Sequence, residues 1–362
     1  MEIKNLDKQN IVPTSDITPH LTTRELYPEN QETPIHFLPY WITPTEYFFL
    51  RNHFKYPEIN QENFQLPVEG KVLNPHIFTY DEIIQMPSKT LVLPLECSGN
   101  QRKKFQPNVF GKQWTDGAIS QGMWKGVPLS YLLSKVEIKD TAIEVVFEGY
   151  DKGDRKDTDE TVNYARSLPI EKALHNDTLI AYELNGNTIP YEHGFPLRLI
   201  VPNWYAMASV KWLKKISVID HHFQGAFQTI DYNYYPNKDN DEGKYPVTTV
   251  HVNSIILQPL GRSILDTGFH LIEGIAWTGI GNVLEVELCI NDKWYEVDLV
   301  TDPMQPYSWV YWSYVWNVNE KGEYRLLSRA KDSYGHVQPK EAFWNRKGYG
   351  YNAIYEIIVK IE

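Results

Sequence analysis

Between Asn233 and Pro246 the chain runs Asn-Tyr-Tyr-Pro-Asn-Lys-Asp-Asn-Asp-Glu-Gly-Lys-Tyr-Pro. This stretch is polar, is broken by proline and glycine, and has neither a helical nor a strand period, so it reads as a linker or long surface connection. It divides the 362 residues into two unequal parts. A prior of about 150 residues per domain also gives two. The boundaries expected are 20–235 and 246–362. A chain of this length can bury most of its unfolded surface and needs no covalent staples.

The second part reads as all-β. Leu284, Val286, Leu288 and Ile290 alternate with Glu285 and Glu287. Trp294–Val300, Ser308–Val318, Glu323–Ala330 and Ala353–Ile361 have similar character, with turn residues between them. Short strands at this spacing predict an immunoglobulin-like sandwich. The first part mixes strands, such as Leu91–Leu95 and Ala142–Phe147, with short helices. Leu129, Leu132, Leu133 and Val136 stand at helical spacing behind Pro128, and Ile170–His175 reads as another short helix. There is no regular β-α alternation, which points to α+β rather than a doubly wound sheet. The polar run Asp151–Glu160 reads as an exposed loop.

The formal charge of −11 makes the chain a poor general binder of nucleic acid or anionic membrane. Two cysteines, Cys97 and Cys289, exclude a disulfide framework and a cysteine-based zinc or iron–sulfur cluster. No stretch approaches the ~20 apolar residues of a membrane span, and the polar start lacks a secretory h-region. A soluble, cytoplasmic protein is the expectation. Dinucleotide, P-loop, zincin, nucleophile-elbow and EF-hand signatures are absent, as is the C-x-x-C-H of covalent haem. His221-His222 would be a poor metal pair on a strand, because adjacent side chains point apart.

Cys289 sits in an apolar strand and reads as a small hydrophobe. Cys97 differs. It ends an apolar strand and opens Cys97-Ser98-Gly99-Asn100-Gln101-Arg102, with Lys103 and Lys104 beyond. Nearby cations favour thiolate, the form that attacks or binds a metal, so a lowered pKa is expected. Spacing alone leaves a buried structural cysteine, a nucleophile and a metal ligand open. Arg51-Asn52-His53, His193-Gly194-Phe195-Pro196-Leu197-Arg198 and Ser209-Val210-Lys211-Trp212 carry the residue types that hold a phosphate.

Together with Trp114-Thr115-Asp116-Gly117-Ala118-Ile119-Ser120 and Trp344-Asn345-Arg346-Lys347-Gly348, these segments resemble the sulfite oxidase family of molybdenum-cofactor enzymes over roughly Pro39 to Ile361. The resemblance implies an α+β molybdopterin-binding domain followed by an immunoglobulin-like dimerisation domain, in a homodimer. It implies molybdenum on a single molybdopterin (a pyranopterin dithiolene) with Cys97 as the protein's metal ligand. Phe49, Asn52, His53, Asp151, His193, Arg198, Ser209, Val210 and Lys211 would contact the pterin or its phosphate. Arg51, Arg102, Trp114 and Tyr232 would form the anionic substrate pocket.

The family usually shows arginine where this chain has Lys347, with Arg346 one residue earlier. Lysine keeps the charge but loses the planar two-donor fork. The implied reaction is oxidation of sulfite to sulfate by oxygen-atom transfer. With no haem expected in this chain, electrons would pass to oxygen or to a separate acceptor such as a cytochrome. The alternatives are a related molybdopterin oxidoreductase acting on another substrate, for example a sulfoxide, and a non-catalytic binding homologue.

Overall fold

The computed structural model describes residues 20–60, 62–155, 157 and 159–362. Among the described residues strand dominates and the α-helices are few: Tyr80–Ile84, Leu129–Val136 and Ile170–Ala173. Leu129–Val136 starts behind Pro128 as its spacing predicts and buries Leu129, Leu132, Leu133 and Val136. Each such side chain contributes roughly 1.5–3 kcal/mol of transfer free energy, enough to hold a two-turn helix that would not persist alone. Among the described residues no helix is long and apolar enough to cross a membrane.

Two five-stranded sheets build the first part. In one, Lys89–Glu96 pairs antiparallel with Ile119–Pro128, which pairs with Leu179–Leu184, itself joined by Asn187–Thr188 and Arg198–Ile200. The other runs His76–Thr79, Gln65–Gly70, Leu213–Ile219, Glu144–Arg155, Glu160–Pro169, and only the contact between Gln65–Gly70 and Leu213–Ile219 is parallel. The second part is a sandwich. Asn253–Gln258, Gly268–Trp277, Val310–Val318 and Asp298–Val300 form one sheet. Ile264–Leu265, Tyr355–Ile361, Gly322–Asp332, Val283–Ile290 and Lys293–Glu296 form the other. The Ser254 hydroxyl meets the Ser328 hydroxyl at 3.1 Å in its core and accepts the Trp312 indole N–H at 3.1 Å.

Several expectations need correction. Trp294–Val300 is not one strand, because Lys293–Glu296 and Asp298–Val300 belong to opposite sheets. Leu284 is 60% exposed, since a register shift between Val283 and Glu285 turns it outward. Asp151 is no loop residue. It lies within Glu144–Arg155, where the pairing slips between Glu148 and Lys152, and it is buried. The polar stretch from Asn233 is anchored at both ends by a short pairing of Asn233–Tyr234 with Tyr245–Pro246, and Tyr234 and Tyr235 are buried. One continuous core includes Val68, Leu197 and Tyr205 of the first part with Ile255, Trp277 and Trp312 of the sandwich.

Candidate active site

Cys97 stands at the mouth of the first sheet, directly after the strand Lys89–Glu96. Its N–H donates to Ala118 O at 2.8 Å, and its carbonyl accepts Asn100 N–H at 2.8 Å. The turn that follows is packed on Arg102, and a Cβ on Gly99 would lie 2.5 Å from the guanidinium. The segment Phe49–His53 passes in front. It is pinned by Phe49 N–H to the Ser120 hydroxyl (3.0 Å), by a bridge between Gln31 and Leu50, and by Asn52 N–H to Asn30 Oδ1 (2.8 Å). His193 comes from the turn Tyr191–His193 behind Pro190, and Arg198 begins a strand paired with Ala181. The Ser209 hydroxyl accepts Val201 N–H at 3.1 Å.

These elements line a single partly open cleft. Of the residues singled out in the sequence, Phe49, Arg51, Asn52, His53, Cys97, Asp151, His193, Arg198, Ser209, Lys211 and Tyr232 line it. Four do not. Val210 is buried in the core. Trp114 is fully buried in the cluster that holds Cys97 and Phe49, and its indole N–H has no protein partner. Arg102 is occupied by backbone: Nε donates to the Lys347 and Gly348 carbonyls (3.1 Å each) and Nη1 to Lys112 O (3.1 Å). Lys347 is a third exposed, with Nζ 3.7 Å from Asp231 Oδ1.

Sequence reasoning missed Phe48, Tyr164, Ala206 and Met207 in the lining. Tyr164 stacks on His53 with centroids 4.8 Å apart and donates its hydroxyl to Met207 O at 2.7 Å. Its only sequence signal is an inward position on an alternating strand, which core tyrosines share. Tyr349 was also missed. It stacks on Tyr232 at 5.5 Å and lies under the Arg102 guanidinium, 5.0 Å from its ring centroid. The Tyr232 hydroxyl and His53 Nε2 are 2.8 Å apart.

The electrostatics of the cleft are uneven. Burial, then Arg51 and Lys211, holds His53 well below its ordinary pKa, and burial with Arg198 and Lys211 does the same to His193. Burial and the neighbouring Arg198 pull the Lys211 ammonium well down, with Asp151 opposing. Burial pushes the Asp151 carboxyl up to about 7 against the pull of Lys211, and its Oδ1 has no hydrogen-bond partner. Arg51, Arg198 and Lys211 bond to carbonyls or amide oxygens, and none is ion-paired to a carboxylate among the described residues. Buried cations without a counter-ion cost free energy until an anion joins them.

The expected lowering of the Cys97 thiol does not occur. Burial pushes it up, and Arg51 and Arg102 offset only part of that. The Lys104 ammonium sits on Asp116 at 2.5 Å, and Lys103 is exposed. The two adjacent histidines are surface groups, with His221 on Asp220 and His222 on Glu144.

A family model described as the oxidoreductase molybdopterin binding domain matches residues 53–227. A second, the Mo-co oxidoreductase dimerisation domain, matches residues 244–362. The chain belongs to the sulfite oxidase family. It is 32% identical to the mitochondrial sulfite oxidase of Drosophila melanogaster over 92% of this chain and 62% of that protein, so it spans less than two thirds of that relative. It is 28% identical to the sulfite oxidase of Arabidopsis thaliana, covering 95% of this chain and 94% of the plant protein. The crystal structure of the sulfane dehydrogenase SoxCD from Paracoccus pantotrophus superposes with a TM-score of 0.80 at 26% identity, over 92% of this chain and 87% of that one. Within this family frame the cleft has the parts that a molybdenum pterin needs: one buried free thiol, an orphaned carboxylate oxygen and unpaired cations.

Proposed function

We propose that this protein is a molybdenum-dependent oxidoreductase that oxidises sulfite to sulfate. The observation that carries the reading is a single cleft pairing the Cys97 thiol with buried Arg198 and half-buried Arg51 and Lys211, none of them ion-paired to a carboxylate among the described residues. Lys211, Arg198, His193 and Ser209 form the end that takes the cofactor phosphate, through charge-assisted hydrogen bonds. Asp151, Asn52, His53 and Phe49 flank the pterin, and Cys97 is the protein's ligand to the metal. When bound, the group supplies two-electron redox chemistry coupled to oxygen-atom transfer. A coordinating thiol is deprotonated outright, so the raised pKa of the free thiol is no obstacle.

On the other side of Cys97, Arg51 binds and orients the anion, with Tyr232, whose hydroxyl meets His53 Nε2, beside it. Trp114 sits behind this wall with an uncommitted N–H. Arg102 shapes it from outside by holding the backbone of residues 347 and 348. Two units, 20–235 and 246–362, divide the work, and the second carries the homodimer contact. Electrons pass to oxygen or to a separate acceptor.

The test is sulfite-dependent reduction of ferricyanide by protein shown to contain molybdenum. Rapid turnover supports the reading. No turnover from loaded protein moves the substrate to a second candidate, a sulfur compound less charged than sulfite. That alternative rests on Lys347, whose ammonium faces Asp231 rather than the cleft, and on the likeness to a sulfane dehydrogenase.

A further inference from the structure

The loop that carries Cys97 is held from the other half of the molecule. Glu96, immediately before it, is buried, and its two carboxylate oxygens are divided between two partners. Oε2 accepts the indole N–H of Trp277 at 2.8 Å, and Oε1 accepts Asn100 Nδ2 at 3.1 Å. Trp277 is itself buried and closes the strand Gly268–Trp277 of the sandwich. Asn100 passes the constraint on, because its Oδ1 accepts Ala118 N–H at 3.1 Å and its own N–H caps the Cys97 carbonyl. A second tie from the sandwich side, Gly350 N–H to Ser98 O at 2.8 Å, fixes the residue after the cysteine.

From this chain of contacts we propose that Trp277 and Glu96 are positioning residues for Cys97, so that the C-terminal sandwich sets where the sulfur points. This rests on Cys97 being the metal's protein ligand. The chemistry of the strut is geometric. Both Glu96 oxygens accept, so an amide at position 96 can serve only one of the two donors, and Asn100 cannot turn its own amide to compensate without giving up Ala118 N–H. A loop anchored on only one side retains its fold but lets the sulfur wander, and a misplacement near 1 Å is enough to slow a reaction severely.

The experiment uses the full chain carrying Trp277→Phe, Glu96→Ala or Glu96→Gln, in cofactor-free and molybdenum-loaded forms. In the cofactor-free form, iodoacetamide labelling of the two cysteines is followed by peptide mass spectrometry. Cys289, buried in the sandwich, reports global loosening and serves as the internal reference. Trp277→Phe and Glu96→Ala are expected to speed Cys97 labelling about tenfold with Cys289 unchanged, and in loaded protein to lower kcat about tenfold with KM within about twofold. Glu96→Gln, which keeps an acceptor for one of the two donors, is expected to fall between wild type and Glu96→Ala in both readouts.

Cys97 labelling at the wild-type rate in Trp277→Phe and Glu96→Ala overturns the proposal. So does a parallel rise at both cysteines, which would mean general destabilisation. The reading beneath it has a separate test: if Cys97→Ser turns over like the wild type, Cys97 is no metal ligand, whatever the labelling shows.

Discussion

The two ends of the cleft are built on different plans. At the end proposed for the cofactor phosphate, Lys211, Arg198, His193 and Ser209 come from neighbouring segments of one half, and among the described residues neither cation is ion-paired to a carboxylate. At the substrate end the cations come from three distant segments and most are already engaged. Arg102 serves three backbone carbonyls and Lys347 faces Asp231, while Arg51 alone reaches the lining. Tyrosines fill the remainder, with Tyr164, Tyr232 and Tyr349 packed around His53 and Arg51. On the proposed assignment, one end holds an anion permanently and the other binds one weakly enough to release it, as turnover demands.

The largest expected effect lies where the two ends meet. Cys97→Ser abolishes sulfite-dependent ferricyanide reduction while the circular dichroism spectrum and melting temperature stay close to wild type. Turnover near the wild-type rate would remove the sulfur from the mechanism. Next comes the phosphate end. Lys211→Ala removes a charged donor from a buried site, and hydrogen bonds to charged groups are worth about 1.5–3 kcal/mol, so cofactor affinity falls about ten- to a hundredfold. The measurement is molybdenum retained after gel filtration. A full complement of metal with a raised KM instead would place Lys211 at the substrate end and dissolve the contrast.

Arg51 and Arg102 separate next. Equal charge in the sequence suggests equal roles, and the structure divides them. Arg51→Gln raises KM by at least about tenfold with metal content unchanged, which corresponds to the loss of ~1.4 kcal/mol or more of charge-assisted contact. Arg102→Gln gives up bonds to the Lys112, Lys347 and Gly348 carbonyls. Its main cost is stability, about 2–4 kcal/mol by denaturant unfolding. Gly348 itself needs to be glycine, since its φ is +63° and a Cβ there would lie 2.3 Å from Val109 and 3.0 Å from the arginine stem. A KM rise for Arg102→Gln equal to that for Arg51→Gln, at unchanged stability, would show that the two arginines are equivalent after all.

How much of this the sequence discloses depends on the kind of information each residue carries. Arg51, Cys97, His193 and Lys211 are legible because short motifs name them, Phe49 and Asp151 only through the family resemblance, and the structure gathers all six in one cleft. The strands of the sandwich are legible from alternation, although the sheet switch at residue 297 is not, because a strand that changes partner keeps its period. Tyr164 and Tyr349 are hidden, since an inward tyrosine looks the same whether it packs a core or lines a cleft. The rising thiol pKa was misjudged for a related reason. Cations near Cys97 can be counted in a sequence, but the desolvation that outweighs them cannot. The tie from Trp277 to Glu96 spans 181 residues and leaves no local pattern at all.

The smallest effect tests whether Lys347 belongs to the substrate end. Its ammonium lies 3.7 Å from Asp231 Oδ1, while Arg155 donates to both oxygens of the same carboxylate, at 2.5 Å to Oδ2 and 3.4 Å to Oδ1. Asp231 therefore divides one negative charge between two cations at the rim. Asp231→Asn leaves the shape nearly intact, removes that charge and releases Lys347 to face an incoming anion. A partly exposed pair of this kind is worth no more than about 1 kcal/mol, so KM for sulfite falls about two- to fivefold with kcat little changed. The gain shrinks in added salt, because screening acts on exposed charges first. If KM does not move at low ionic strength, Lys347 has no line to the substrate, and Arg51 is the sole cation that the substrate end offers.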